Sequence, residues 1–118
     1  MTDKLLVVVG GIHNTEVRKL GNSVSGNVLV DGNYRDIIPK IREKRPHTVV
    51  VCGALIAVCI GRIAEAALEY GSNVIIDLKH CRIDEHDSGD TSNLDKRHAE
   101  LNTYWPHVVD DQNVQIIS

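Results

Sequence analysis

The sequence predicts one α/β domain, a three-layer α/β/α sandwich around a mostly parallel, flavodoxin- or Rossmann-like sheet. Three observations carry that prediction. The runs Thr48 to Cys52 and Asn73 to Asp77 are aliphatic with no polar alternation, as expected of strands covered on both faces by helices. Between them Val58, Cys59, Ile63, Ala66, Ala67 and Tyr70 recur at helical spacing and mark one apolar stripe, and Gly71 supplies the stop. Strands and helical segments then alternate along the rest of the chain, which is the pattern of layered α/β domains.

Taken in order, Leu5 to Val9 is a β-branched run ending in Gly10-Gly11 and reads as the first central strand. Asn14-Thr15-Glu16 can cap a short helix through Leu20 before Gly21 and the residues up to Gly26 break the chain. Asn27 to Val30 is a second, short strand. Tyr34, Ile37, Ile38 and Ile41 share a helical face, but Pro39 lacks a backbone donor and clashes with the preceding turn. The regular helix is therefore expected to begin near Asp36 or Ile38, with the proline in its first turn. Lys40, Arg42, Lys44 and Arg45 read as a solvated helix end favoured by the dipole, rather than as an anion-binding patch.

The next unit is the strand Thr48 to Cys52, a tight turn at Gly53, a helix from about Val58 to Tyr70 and the strand Asn73 to Asp77. Leu78 to Asn93 has no apolar period and is rich in Asp, Glu, His, Ser and Gly, which describes a surface loop. Leu94, His98, Leu101 and Trp105 suggest a short helix stopped before Pro106, and Val114 to Ile117 a closing strand.

Composition narrows the function classes. The chain has 118 residues, 42% hydrophobic and 25% charged, which suits one soluble domain spanning residues 1–118. With no Phe, one Trp, three Tyr and a net charge of −3, it offers neither a stacking surface nor an electrostatic reason for a nucleic-acid partner. Three cysteines cannot all pair, and two flank one turn, so a reduced, cytoplasmic protein is expected. Leu5 to Val9 is too short for a signal sequence or a membrane span, so no membrane partner is expected.

Cys59 is the chief candidate for chemistry. It stands where a loop gives way to a helix, and there unpaired backbone N–H groups and the helix dipole favour a thiolate. The same N–H groups can hold an oxyanion forming on an attacked carbonyl. In open α/β sheets, ligand clefts form at the carboxyl ends of the strands, so Gly53, Ala54, Leu55 and Ile56 of this turn are expected to line the ligand. The alternative is that Cys59 is a small buried hydrophobe. Two further constellations are weaker. Gly10-Gly11 after the first strand suggests a nucleotide-binding domain, although a lone pair of glycines is no phosphate-loop fingerprint. His80-Cys81 with Asp84, Glu85, His86, Asp87 and Asp90 holds possible metal ligands at a spacing that matches no metal motif, and a solvated loop accounts for it. No metal and no cofactor is expected.

From Val51-Cys52-Gly53-Ala54-Leu55-Ile56-Ala57-Val58-Cys59-Ile60 through Ala64, Ala66 and Gly71, the sequence resembles the isochorismatase-like cysteine hydrolases. In that family a G-x-x-T-x-x-C-V turn leads into a helix of the form T-A-x-x-A, and Gly53, Cys59, Ala64, Ala66 and Gly71 fall in register. The resemblance is specific from Thr48 to Asp77. His98-Ala99-Glu100-Leu101 and the last strand fit the family's closing helix and strand. It implies a flavodoxin-like parallel sheet, a homo-oligomer, and hydrolysis of small amides or related substrates. A cysteine attacks, an aspartate of the first strand takes its proton, and a lysine positions the site. Lys19, 40 positions ahead of Cys59, has a spacing compatible with that lysine. The chain departs from the pattern in several places. Ile56, Ala57, Ile63 and Ser72 replace the usual Thr, polar, Thr and Tyr residues. The first strand ends in Gly10-Gly11 where the family has D-x-Q, so the base is not found. His13 beside that turn, or Asp31, is left as a substitute. The competing reading is a catalytically inactive relative, kept as an oligomeric small-molecule-binding or scaffold protein with Cys59 structural.

Overall fold

In the computed structural model, residues 4–10, 28–84 and 86–118 are described. The sheet is built from β1 (Lys4–Val9), β2 (Val28–Gly32), β3 (Thr48–Ala54), β4 (Asn73–Arg82) and β5 (Val114–Ile117), in the order β2-β1-β3-β4-β5. Every neighbouring pair is parallel. The fold is therefore an α/β sandwich, as the aliphatic runs require. Leu5, Val7, Val8 and Val9 of β1 and Val49, Val51 and Cys52 of β3 are fully buried. Burial of both faces explains why neither strand alternates with polar residues.

Around the sheet lie α1 (Tyr34–Lys44), α2 (Gly61–Glu69), α3 (Leu94–Tyr104) and a short α4 (Pro106–Val109). A π-helical turn, Ile56–Ile60, leads into α2. Ile37 and Ile41 of α1, Ile63, Ala64 and Ala67 of α2, and Leu101 of α3 join the strand residues in one core. After α2 the chain closes in a paired C-cap. Gly71, at φ +86°, donates its N–H to the Leu68 carbonyl, and Ser72 donates to that of Ala67. The Ser72 hydroxyl then donates to the buried Pro46 carbonyl at 2.6 Å, tying this cap to the entry of β3.

Several sequence expectations are corrected. α1 begins at Tyr34, not near Asp36 or Ile38, and Pro39 lies inside it. The Asn33 side chain caps the helix by accepting the Asp36 N–H, and Arg35, whose carbonyl loses its donor to the proline, is on the exposed side, where water can serve it. The second strand is Val28–Gly32 and not Asn27 to Val30. β3 runs through Gly53 to Ala54, so the glycine is inside a strand end. The predicted helix from Val58 to Tyr70 starts earlier, at the π turn, and its α-helical part is Gly61–Glu69. The short helix expected over Asn14 to Leu20 lies outside the described residues.

The largest correction concerns Leu78 to Asn93. β4 continues to Arg82, and Leu78 and Cys81 are fully buried. Register explains the missing period: Val51 pairs with Ile76, but Gly53 pairs with Cys81. The residues between form a bulge in β4, which breaks side-chain alternation. Beyond it, the buried Arg97 of α3 organises the loop. Its guanidinium donates to both Asp87 carboxylate oxygens, at 2.9 and 2.7 Å, and to the Leu78 and Asp90 carbonyls. Asp87 also accepts from the Ile83 and Gly89 N–H groups and the Asn93 amide. Burial by itself raises the Asp87 pKa, but these hydrogen bonds and the Arg97 charge outweigh it and hold the carboxyl well below the usual carboxylate range.

Two outcomes follow from this packing. Gly53 sits at φ +110°, and a Cβ there would lie 2.0 Å from the Val9 carbonyl oxygen. Gly53→Ala is expected to cost at least about 2 kcal/mol in denaturant unfolding. Asp87→Asn leaves Arg97 buried without its counter-charge, and a loss of about 3–5 kcal/mol at neutral pH is expected. Because the folded-state pKa of Asp87 is depressed, its contribution is complete above the unfolded carboxylate value of about 3.9 and is lost as pH falls below it. The stability of the variant should therefore depend less on pH in that acid range than that of the parent.

Candidate active site

The site forms where β1 and β3 end side by side. Val9 pairs with Gly53, and the Gly10 N–H donates to the carbonyl of Gly32 at the end of β2. The carboxyl ends of the three strands are thus level, and the chain leaves β3 through Ala54, a cis peptide and Leu55. Gly53 permits this because its backbone lies against that of Val9 where no side chain fits.

The turn that follows is not a regular helix start. The Leu55 carbonyl accepts the N–H groups of Val58 and Ile60, at 3.2 and 3.1 Å. In an α-helix its partner would be the N–H of Cys59. The bond to Ile60 widens the turn by one residue and releases the Cys59 amide from that partner. Cys59 is half-buried, between the exposed Val58 and the fully buried Ile60.

Trp105 holds this turn in place. Its indole N–H donates to the Ala57 carbonyl at 3.1 Å. Its ring covers Gly61, where a Cβ would lie 1.9 Å from the indole. On the same side, His107 of α4 pairs with Glu65 of α2. Helical spacing alone gives Trp105 only as the apolar end of a helix. The signal for its role was present: an isolated glycine inside a helical pattern marks a close packing partner, and this chain has one Trp.

The three thiols differ in access. Cys52 is fully buried and its Sγ lies 3.6 Å from the Val7 carbonyl oxygen. Cys81 is fully buried and donates to the Asp77 carbonyl at 3.1 Å. Burial first, and then the neighbouring Cys52 and Asp77, push its pKa well up and keep it a neutral thiol. None of the three cysteines is in a disulfide, and Cys59 alone is not fully buried.

The other candidate residues divide. Gly53, Ala54 and Leu55 lie along the path from β3 to Cys59, with Leu55 38% exposed, whereas the Ile56 side chain is fully buried in the core. Lys19 and His13 lie outside the described residues, as does the side chain of Asp31. Among the described residues, no carboxylate or imidazole hydrogen-bonds the Cys59 thiol. At the end of β1, where a base would face the turn, the chain has Gly10. It sits at φ +59°, and a Cβ there would meet the Ala54 carbonyl oxygen at 2.8 Å. Gly10 thus serves close backbone packing. Among the described residues, no three His, Cys, Asp or Glu side chains gather as metal ligands. His80 pairs instead with Asp77 at 2.8 Å, and Asp87 with Arg97. Also among the described residues, no helix is long and apolar enough to cross a membrane.

No protein-family model matches the sequence, and no curated protein does. Solved structures do match. The nicotinamidase of Staphylococcus aureus superposes with a TM-score of 0.56 at 12% identity, over 99% of this chain and 100% of that one. The pyrazinamidase of Pyrococcus horikoshii, solved in complex with zinc, gives 0.50 at 11% identity, over 98% of this chain and 99% of that one. The likeness is one of fold. It covers nearly the whole chain.

Trp105→Phe keeps the ring over Gly61 but removes the bond to Ala57. A loss of about 1 kcal/mol in thermal or denaturant unfolding is expected, with faster alkylation of Cys59 as its turn loosens.

Proposed function

We propose that the chain is a cysteine hydrolase of the isochorismatase-like type that cleaves small amides through Cys59. The observation that carries this reading is the π turn: it presents the accessible thiol at the strand ends and frees the amide of the same residue from its helical partner. The Cys59 thiolate would attack the amide carbonyl carbon. The oxyanion would be received by the Cys59 N–H, as a preorganised donor costs no reorganisation during reaction. Collapse of that intermediate breaks the C–N bond, releases ammonia once the nitrogen takes a proton, and leaves a thioester on Cys59. Water then attacks the thioester, giving the carboxylic acid and the free thiol. The fold shared with a nicotinamidase and a pyrazinamidase supports amides as the substrate class. Lys19 and His13 are the proposed supporting residues, and a homo-oligomer the proposed assembly.

A second reading is a binding protein with the same cleft and no turnover. It is favoured by Gly10, which puts no side chain at the end of β1 where a base would act.

Ammonia release from nicotinamide and a panel of small primary amides separates the two. The hydrolase reading expects release that falls to the uncatalysed background in Cys59→Ala, together with an acyl adduct on Cys59 in the parent by mass spectrometry. Folded parent protein that releases no ammonia above background from any of these amides would leave the binding reading.

A further inference from the structure

Two arginines flank one aromatic ring at the carboxyl end of the sheet, the end that also carries the Cys59 turn. The guanidinium carbon of Arg62 lies 5.2 Å from the centroid of the Tyr34 ring, and that of Arg35 lies 5.8 Å from it. Tyr34 and Arg35 open α1 just after the end of β2, and Arg62 is in the first turn of α2 just after the Cys59 turn. Both helices therefore begin at the level where β1, β2 and β3 end. Arg62 is the second residue of α2, directly after the π turn that bears Val58 and Cys59. Both arginines are exposed, and among the described residues neither has an ion-pair partner. Beside them, Leu55 and Val58 are 38% and 42% exposed. This end of the molecule thus combines exposed apolar side chains with two cations that have no ion-pair partner among the described residues and share one aromatic ring.

We infer that the ligand of the Cys59 cleft is a small organic anion, its carboxylate received by Arg62 with Arg35 adding charge, and its apolar body lying over Leu55 and Val58. This rests on reading the Cys59 cleft as the ligand site, and it names the substrate class for that site. Arg62 is the specificity-determining residue. The fork of a guanidinium matches both oxygens of a carboxylate, and its stacking on Tyr34 limits the freedom lost on binding. A neutral amide would meet the same cleft without that attraction.

The test compares alkylation of Cys59 by iodoacetate and by iodoacetamide, probes of similar size that differ in charge, with each rate read by peptide mass spectrometry. Free cysteine gives the reference ratio of the two rates. The parent protein is expected to favour iodoacetate relative to that reference by about two- to threefold or more, the effect of one unit charge some 8 Å away in water. Arg62→Gln should remove most of the preference and Arg62→Gln with Arg35→Gln the rest, whereas Arg62→Lys should keep it. About 1 M salt, where the screening length is about 3 Å, should abolish it in the parent. A ratio equal to that of free cysteine, or one unchanged by the glutamine variants, would overturn the inference. So would a Cys59 that neither reagent labels, since the cleft would then admit no small molecule. A preserved preference in a protein that hydrolyses no amide supports the inference while overturning the hydrolase reading.

Discussion

The contact between the ends of β1 and β3 governs what this molecule can do. The Gly53 backbone presses on Val9, and the Ala54 carbonyl presses on Gly10. Neither position has room for a side chain. At β3 this closeness lets the strand take a positive φ and turn its last residues into the π turn that bears Cys59. At β1 it removes the side chain that would face that turn. One packing constraint therefore presents the thiol and leaves the strand beside it without a base.

The turn is held from above as well as from below. Trp105 accepts no substitute at Gly61, because its ring occupies the space of the missing Cβ, and its N–H bond to Ala57 ties the end of α3 to the start of the Cys59 turn. α3 is itself fixed at its other end by the Arg97–Asp87 pair, which also reaches the Leu78 carbonyl in the β4 bulge. The polar stretch after β4 is thereby part of the structure that braces the site. A guanidinium buried in this way is tolerated because its neighbours supply four acceptors: both oxygens of a carboxylate and two carbonyls.

The three cysteines show how the same side chain is given different chemistry by position. Cys52 and Cys81 are fully buried in the sheet, and desolvation favours the neutral thiol of Cys81. Cys59, one turn of chain beyond the sheet, is only partly buried. Charge is placed in a similar way. The basic residues at the end of α1 are solvated, whereas Arg35 and Arg62 share the Tyr34 ring.

By itself the sequence determined the α/β class, the order of the described strands and helices, and the position of Cys59 at the head of a helix. Aliphatic runs, a helical stripe and Gly71 are local signals, and they act over a few residues. It also put Gly10-Gly11 at the end of the first strand, where the family that Thr48 to Asp77 resembles has D-x-Q. Tertiary structure alone decided the rest. The length of β4 was hidden because a bulge destroys the alternation by which strands are read, and Asp87 looked like a solvated loop residue because its partner, Arg97, is ten positions away on a helix. Ile56, read as lining the ligand, is buried because the π turn rotates it into the core. The need for glycine at positions 10, 53 and 61 depends on atoms of Ala54, Val9 and Trp105, contacts between segments distant in the chain. No local pattern records such contacts, since they exist only once the backbone has folded.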